Sequence, residues 1–202
     1  MTKRQTGDRL APDTVVRAAL DLLDEKGLEA LSARAVADRL GVRMNTVLWH
    51  VKTKARMLDL MADAVVGEAP LDGLPDEPRE RAREVVRRYR RALLAHRDGA
   101  ALVVGTYVAE PHTLRLAETL VAALLDAGLD ERGAAWTTWT VLYFTLGLTQ
   151  EQQAAERMSG DRLERAVTEA GHPALHRVLG HLASGSFEER FEYGLDAVLG
   201  GR

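Results

Sequence analysis

The stretch Ser32-Ala33-Arg34-Ala35-Val36-Ala37-Asp38-Arg39-Leu40-Gly41-Val42-Arg43-Met44-Asn45-Thr46-Val47-Leu48-Trp49-His50-Val51 decides the expected architecture of the chain. Ser32 is a favoured N-cap, and Val36, Ala37 and Leu40 behind it fall on one face of a short helix. Gly41 breaks that helix, and Val42 is placed to plug the core beneath the turn. A second short helix is expected from about Arg43 to His50. Two short helices joined at a single glycine form a helix-turn-helix, whose second helix projects side chains outward near its start. A plain helical hairpin would give the same pattern, so charge has to separate the two readings.

The formal net charge is −3, which by itself does not suggest a partner for nucleic acid. Its distribution does. Residues 32–56 hold Arg34, Arg39, Arg43, Lys52, Lys54 and Arg56 against the single acid Asp38, so the remainder is acidic. A basic patch on an acidic body attracts phosphate and disfavours binding by the wrong face. In a major groove, Asn45 suits an adenine edge, Arg43 a guanine or a phosphate, and Met44 or Thr46 a thymine methyl. Trp49, His50, Lys52 and Lys54 follow where a helix meets the sugar-phosphate backbone, which supplies position and affinity more than specificity.

Outward from this motif the signals are helical throughout. Upstream, Pro12 opens a helix with Asp13 in its first turn, Val16, Ala19, Leu20 and Leu23 on one face, and Gly27 at its end. Downstream, Thr53 caps a helix carrying Met57, Leu58, Met61 and Val65. Residues 67–78 contain three prolines and two glycines and read as a loop. The expected organisation is therefore a three-helix DNA-binding domain with its connecting helix in residues 1–66, the loop 67–78, and a helical body in residues 79–202. Within the last, helices are expected at about Arg79 to Ala95, Pro111 to Ala127, Glu131 to Arg157, Pro173 to Ala183 and Phe187 to Leu199. The third of these is rich in Thr, Trp, Val, Tyr and Phe between Thr137 and Thr145, which favours a strand by propensity. Its length and lack of turn signals favour a helix. Being apolar nearly all round, it is expected to be buried on more than one side.

With 46% hydrophobic and 28% charged residues, the composition is that of a soluble globular protein, and the helical signals along the chain make the expected fold class all-α. No apolar run approaches the roughly 20 residues of a membrane span, and no partner in a membrane is expected. Residues 1–9 are polar and lack the apolar segment of a secretory signal. The chain has no cysteine, which removes disulfides, thiolate metal sites and cysteine nucleophiles and fits a cytoplasmic location.

Several strings carry a family likeness. Gly27-Leu28-Glu29-Ala30-Leu31-Ser32, Leu40-Gly41-Val42 and Leu48-Trp49-His50-Val51-Lys52-Thr53-Lys54 resemble the N-terminal domain of the TetR family of transcription regulators. The likeness continues through residues 92–100, Gly105-Thr106 and Phe144-Thr145-Leu146-Gly147, covering the chain from about Leu10 to Glu156. It implies an all-α homodimer whose late helices pair as a four-helix bundle, a palindromic double-stranded operator, and release by a small-molecule effector. The DNA-contacting set becomes Arg34, Arg43, Met44, Asn45, Thr46, Leu48, Trp49, His50, Lys52 and Lys54. The effector-contacting set becomes Val85, Tyr89, Val103, Thr106, Tyr107, Leu120, Trp136, Trp139, Tyr143 and Glu151.

The departures from the tetracycline-responsive members of that family matter. Val103 stands where they carry a magnesium-binding histidine, and Tyr107 where they carry an arginine. Val85 and Pro70 replace a pocket asparagine and a pocket histidine. Tyr89 keeps an aromatic ring, Thr106 keeps a hydroxyl, and Glu151 falls where a metal-linked glutamate lies. In the second helix of the motif, Leu48 replaces a tyrosine and Met44-Asn45 a Gln-Pro pair. The expected effector is thus apolar or aromatic and not a tetracycline–magnesium complex, with no metal or other cofactor.

Two further strings point elsewhere. His96-Arg97-Asp98 resembles a kinase catalytic loop, but Val103 stands where that loop needs asparagine and no glycine-rich phosphate loop exists. His172 and His176 have the spacing of a zinc helix without its adjacent acid. Two rival functions stay open on sequence alone: a helical enzyme using Tyr107, His96 and Glu151, and an adaptor that has kept the fold and lost DNA binding.

Overall fold

The computed structural model describes residues 10–106, 109–155 and 162–200. Among the described residues the regular structure is entirely helical. The first four helices are α1 (Pro12–Lys26), α2 (Ala33–Leu40), α3 (Met44–Val51) and α4 (Lys54–Gly67). Ser32 Oγ accepts from the Ala35 N–H at 3.1 Å, so α2 starts at its expected cap. It ends at Gly41, with φ 64°. The Gly41 N–H donates to Asp38 O at 3.3 Å and the Val42 N–H to Ala37 O at 3.0 Å. These two bonds satisfy the terminal carbonyls in a Schellman arrangement. A side chain in this left-handed conformation costs about 1–2 kcal/mol, so glycine is what lets the chain leave α2 in one tight turn.

Val47 and Val51 are fully buried and hold α3 against α1 and α2. The other residues of α3 are left outside. Thr53 Oγ1 then accepts from the Arg56 N–H at 3.0 Å and starts α4 directly. The 14 residues of α4 span about 21 Å at 1.5 Å per residue and run from the reading head into the body.

The body consists of α5 (Pro78–Leu94), α6 (Gly99–Val103), α7 (Pro111–Asp126), α8 (Glu131–Ala155), α9 (Arg162–Ala166), α10 (Pro173–Ala183) and α11 (Phe187–Leu199). The five-residue helices α6 and α9 are absent from the sequence reading, because one turn offers too few positions for a period to show. In α8 the β-rich run is helical after all. Its Thr138, Thr145 and Thr149 hydroxyls donate to the carbonyls of Ala134, Val141 and Thr145 at 2.8, 2.7 and 2.6 Å. Each buried hydroxyl is thus satisfied inside the helix it was expected to disfavour.

The expectation that α8 is buried on more than one side is not met within one chain. Ala134, Thr138, Val141, Thr145 and Thr149 face the core, while Trp136 on another side is 62% exposed. A single chain has no further layer to lay against that side. α8 meets α11 closely at Gly194, where a Cβ would collide with the Phe144 ring. The missing side chain lets the Phe144 ring stack on Phe191 at 6.1 Å. Arg90, itself 4% exposed, joins the three helices α5, α8 and α11. It pairs with Glu188, donates to Gln152 Oε1 at 2.7 Å and lies 4.5 Å over the Phe191 ring.

The kinase-like string His96-Arg97-Asp98 is the joint between head and body. The His96 ring bridges Asp24 of α1 at 3.0 Å and Glu68, just past α4, at 3.1 Å. The Arg97 N–H donates to Asp24 Oδ1 at 3.0 Å, and the Leu28 N–H donates to Asp98 Oδ2, also at 3.0 Å. Burial by itself disfavours the imidazolium, but the hydrogen bond and charge of Glu68, then those of Asp24, outweigh it and raise the His96 pKa above its ordinary 6.5. A raised folded-state pKa gives stability that is complete below the unfolded value and lost as pH rises through the folded one. Wild-type protein should therefore lose more stability than His96→Gln as pH rises from the ordinary value of 6.5 through the raised folded-state one, measured by urea unfolding. Parallel pH profiles for the two proteins would contradict this account of the joint.

Candidate DNA-binding surface and effector cavity

The outer side of α3 presents Arg43 at its N-cap, then Met44, Asn45 and Thr46, all exposed. Leu48 and His50 are half-buried, and Trp49 is 72% exposed. A tryptophan left this open on a short helix is unusual for a monomeric surface. Lys52 lies 4.7 Å over its ring and donates to Trp49 O at 2.9 Å. Lys52 also takes φ 64°, a backbone conformation rare outside glycine, to turn the chain from α3 into α4. Arg34 and Lys54 are exposed on the flanking helices.

The structure thins the basic cluster counted from sequence. Arg39 is held by Glu25 at 2.8 Å and Asp21 at 3.4 Å, and Arg56 is paired with Glu110. Among the described residues, the ion pairs engage none of Arg34, Arg43, Lys52 and Lys54. Those four are exposed cations beside the polar tip of α3.

In the body, α4, α5, α6, α7 and α8 enclose a cavity of two adjoining lobes, of about 350 and 400 Å³. Tyr89, Val103, Thr106, Thr113, Trp139 and Leu142 line both lobes. Ala62 and Val66 of α4 close the first, and Tyr143, Leu146 and Gln150 of α8 edge the second. Trp139 and Tyr143 stack on each other at 5.4 Å. Desolvation pushes the Tyr89 hydroxyl well above its ordinary pKa, so it stays protonated. The hydroxyls of Thr106, Thr113 and Thr138 donate to Val103 O, Asp63 Oδ1 and Ala134 O at 2.7, 2.9 and 2.8 Å.

Of the residues expected around the effector, Tyr89, Val103, Thr106, Trp139 and Tyr143 come together here. Val85 and Leu120 do not line the cavity, because both are fully buried in the core beside it. Trp136 lies outside it with the Arg132 guanidinium 4.1 Å over its ring, and Glu151 is exposed and outside the lining. Tyr107 falls outside the described residues. Reading α7 only as a helix missed its wall, Thr113, Leu114, Ala117 and Val121, whose helical spacing was visible in the sequence.

The described lining of the cavity is apolar, with a few hydroxyls and one amide. Its described residues include no imidazole and no carboxylate, Val103 has no donor atom, and Thr106 and Glu151 are not brought together. Among the described residues no group of three His, Asp or Glu side chains could hold a metal ion. His172, His176 and His181 are exposed along α10 and the turn before it. Nor is any described helix long and apolar enough to cross a membrane.

Two family models match this chain: "Bacterial regulatory proteins, tetR family" over residues 15–61 and "Tetracyclin repressor-like, C-terminal domain" over residues 73–201. The chain belongs to the TetR family. Its similarity to the class A tetracycline repressor protein of transposon 1721 from Escherichia coli is 34% identity over 196 residues, covering 96% of this chain and 90% of that one. A Streptomyces coelicolor structure described as a possible TetR family transcriptional regulator superposes with TM-score 0.85 at 36% identity, covering 94% and 97% of the two chains. The Streptomyces coelicolor TetR family protein ActR in complex with actinorhodin gives TM-score 0.86 at 28% identity, covering 95% and 96%. The protein is accordingly a DNA-binding transcriptional regulator of helix-turn-helix type, and its relatives are regulators, not enzymes. Regulators of the TetR family bind operator DNA, dimerise and take small-molecule ligands.

Two substitutions separate affinity from specificity in this TetR-family head. Lys54→Ala should weaken binding alike on all operator variants and lower the salt slope by about one unit, because it removes one phosphate contact. Asn45→Ala should cost roughly 1–3 kcal/mol at one base position per half-site and relax preference there. Fluorescence-anisotropy titrations over a salt series and a panel of substituted duplexes distinguish the two patterns. A base-selective loss for Lys54→Ala, or a uniform one for Asn45→Ala, would exchange the roles.

Proposed function

We propose that this regulator is a homodimeric repressor, acting in the cytoplasm and released from a palindromic operator by a largely apolar, aromatic effector that binds without metal. Residues 1–66 act as the reading head with its connecting helix, residues 67–78 as a loop, and residues 79–202 as the effector-binding and dimerising body. The observation that carries the effector reading is the cavity itself. It is walled by Tyr89, Val103, Leu142 and the Trp139–Tyr143 stack, and its described lining holds no charged side chain. Such a lining favours apolar surface with few polar anchors. Solved relatives contain actinorhodin in ActR and minocycline in an Acinetobacter baumannii TetR variant, which supports an organic guest of aromatic size.

A second copy is the natural cover for the exposed side of α8 and for Tyr193 of α11, which is 79% exposed. Two α8–α11 pairs would pack as a four-helix bundle. A two-fold dimer sets its recognition helices into successive major grooves, with half-site centres about 10 base pairs apart. Effector binding releases DNA only by favouring a state in which that spacing is lost.

Tetracycline with magnesium should fail to release DNA. The described lining offers the drug and its metal no imidazole and no carboxylate, and each polar group of the drug left buried and unpaired costs about 1–3 kcal/mol. The neutral fluorophore N-phenyl-1-naphthylamine, by contrast, should enter the cavity in the presence of EDTA and brighten there. Trp139→Ala should weaken its binding at least fivefold. Tight, magnesium-dependent tetracycline binding with DNA release would refute the effector reading, and so would N-phenyl-1-naphthylamine binding unaffected by Trp139→Ala.

A further inference from the structure

Asp63 is a carboxylate in a place that has no evident need of one. It is 6% exposed, in α4, directly beside the cavity residue Ala62 and one turn before Val66. Its partners lie on another helix. Asp63 Oδ1 accepts from the Thr113 N–H at 2.8 Å and from the Thr113 hydroxyl at 2.9 Å, and Oδ2 accepts from the His112 N–H at 3.4 Å. Those two amides belong to the first turn of α7, where a helix leaves N–H groups without intrahelical acceptors. The N-cap residue Glu110 makes no side-chain cap of its own. Its carboxylate is paired instead with Arg56, also on α4. The start of α7 is therefore held from α4 at two points along that helix, by the Asp63 cap and by the Arg56–Glu110 ion pair.

We infer that Asp63 couples the cavity to the reading head by holding the first turn of α7 and the helix α4 together as one moving body. Thr113 is the shared part: it lines both lobes of the cavity and gives its hydroxyl proton and its amide to Asp63. A guest that displaces the first turn of α7 must either break these bonds or carry α4 along. Breaking them leaves a buried carboxylate without donors, which is far costlier than a small tilt. So α4 follows, and α4 begins directly after the recognition helix, behind Lys52 and Thr53. Coupling of this kind is reciprocal, so DNA fixing the head must also steady the first turn of α7.

That reciprocity gives a test that needs no effector. The full-length protein is bound to a palindromic duplex recovered by its own selection from a random DNA pool. Amide hydrogen exchange is then followed in the peptide spanning residues 110–116. In wild type, DNA should slow exchange there about tenfold. In Asp63→Ala the same duplex should bind and leave this exchange unchanged, whereas a cap with a purely structural role would alter the exchange without removing its response to DNA. Asp63→Asn keeps an acceptor oxygen for Thr113 and should retain part of the response. Should Asp63→Ala fail to fold, Asp63→Asn and Thr113→Val carry the comparison, each with a reduced response. No effect of DNA on the wild-type peptide, or an undiminished effect in the variants, overturns the inference. The proposal rests on the cavity being the effector site, but the two fail separately. Loss of N-phenyl-1-naphthylamine binding would count against the effector reading alone, and an exchange pattern indifferent to Asp63 against the coupling alone.

Discussion

The arrangement depends on one constraint: α4 is a single uninterrupted helix with its two ends in different kinds of structure. Its N-terminus is fixed to the recognition helix by the Thr53 cap, and its later turns supply Ala62 and Val66 to the cavity. A helix transmits displacement along its length because each turn is held by its own hydrogen bonds. Interrupting it with a flexible joint would leave the head and the cavity intact but without a rigid element that reaches both. The rest of the fold can be understood as fixing this rod from outside. α1 and the His96 bridge hold it on one flank, and α7 holds it on the other through Asp63 and Arg56.

Charge is divided between two tasks in a way that a count of basic residues conceals. Arg39 and Arg56 look like phosphate ligands in the sequence, yet both are spent on carboxylates that tie helices together. In α5 the same occurs on a larger scale: Arg87 pairs with Glu192 at 2.7 Å, Arg83 with Asp196, and Arg90 with Glu188. The arginines of α5 therefore act mainly as cross-links to α11. Arg88 does comparable work on the loop after α4, donating to Pro70 O and Asp72 O at 2.8 and 2.6 Å.

The helices were legible wherever a local rule marks an end. Ser32, Gly41, Thr53, Pro12, Pro111 and Pro173 each sit at the boundary that their chemistry implies. The two ends of the regulator differ in how far their sites could be read. The outward set on α3 follows from the motif, since Val47 and Val51 must face in and their neighbours cannot. The cavity is built across five helices, and no periodicity states which of several apolar faces will meet. Val85 and Leu120 have the right character and helices, but they point into packed core, whereas Thr113 and Leu114 sit where the lining is. His96 reads in the sequence only as part of a polar string at a helix end. Its partners Asp24 and Glu68 are 72 and 28 residues away, a separation that only the fold closes.

Among the described residues, the cavity and the reading surface have no residue in common, although one helix reaches both. On the proposed roles, substitutions at Trp139 or Leu142 reshape the guest site without touching a base-reading side chain, and substitutions at Asn45 or Met44 retune the operator without touching the guest. Inheritance can therefore edit the two specificities one at a time. A duplicated gene has to preserve only the rod and its fastenings to remain a working switch while its input and its output drift to new signals and new targets.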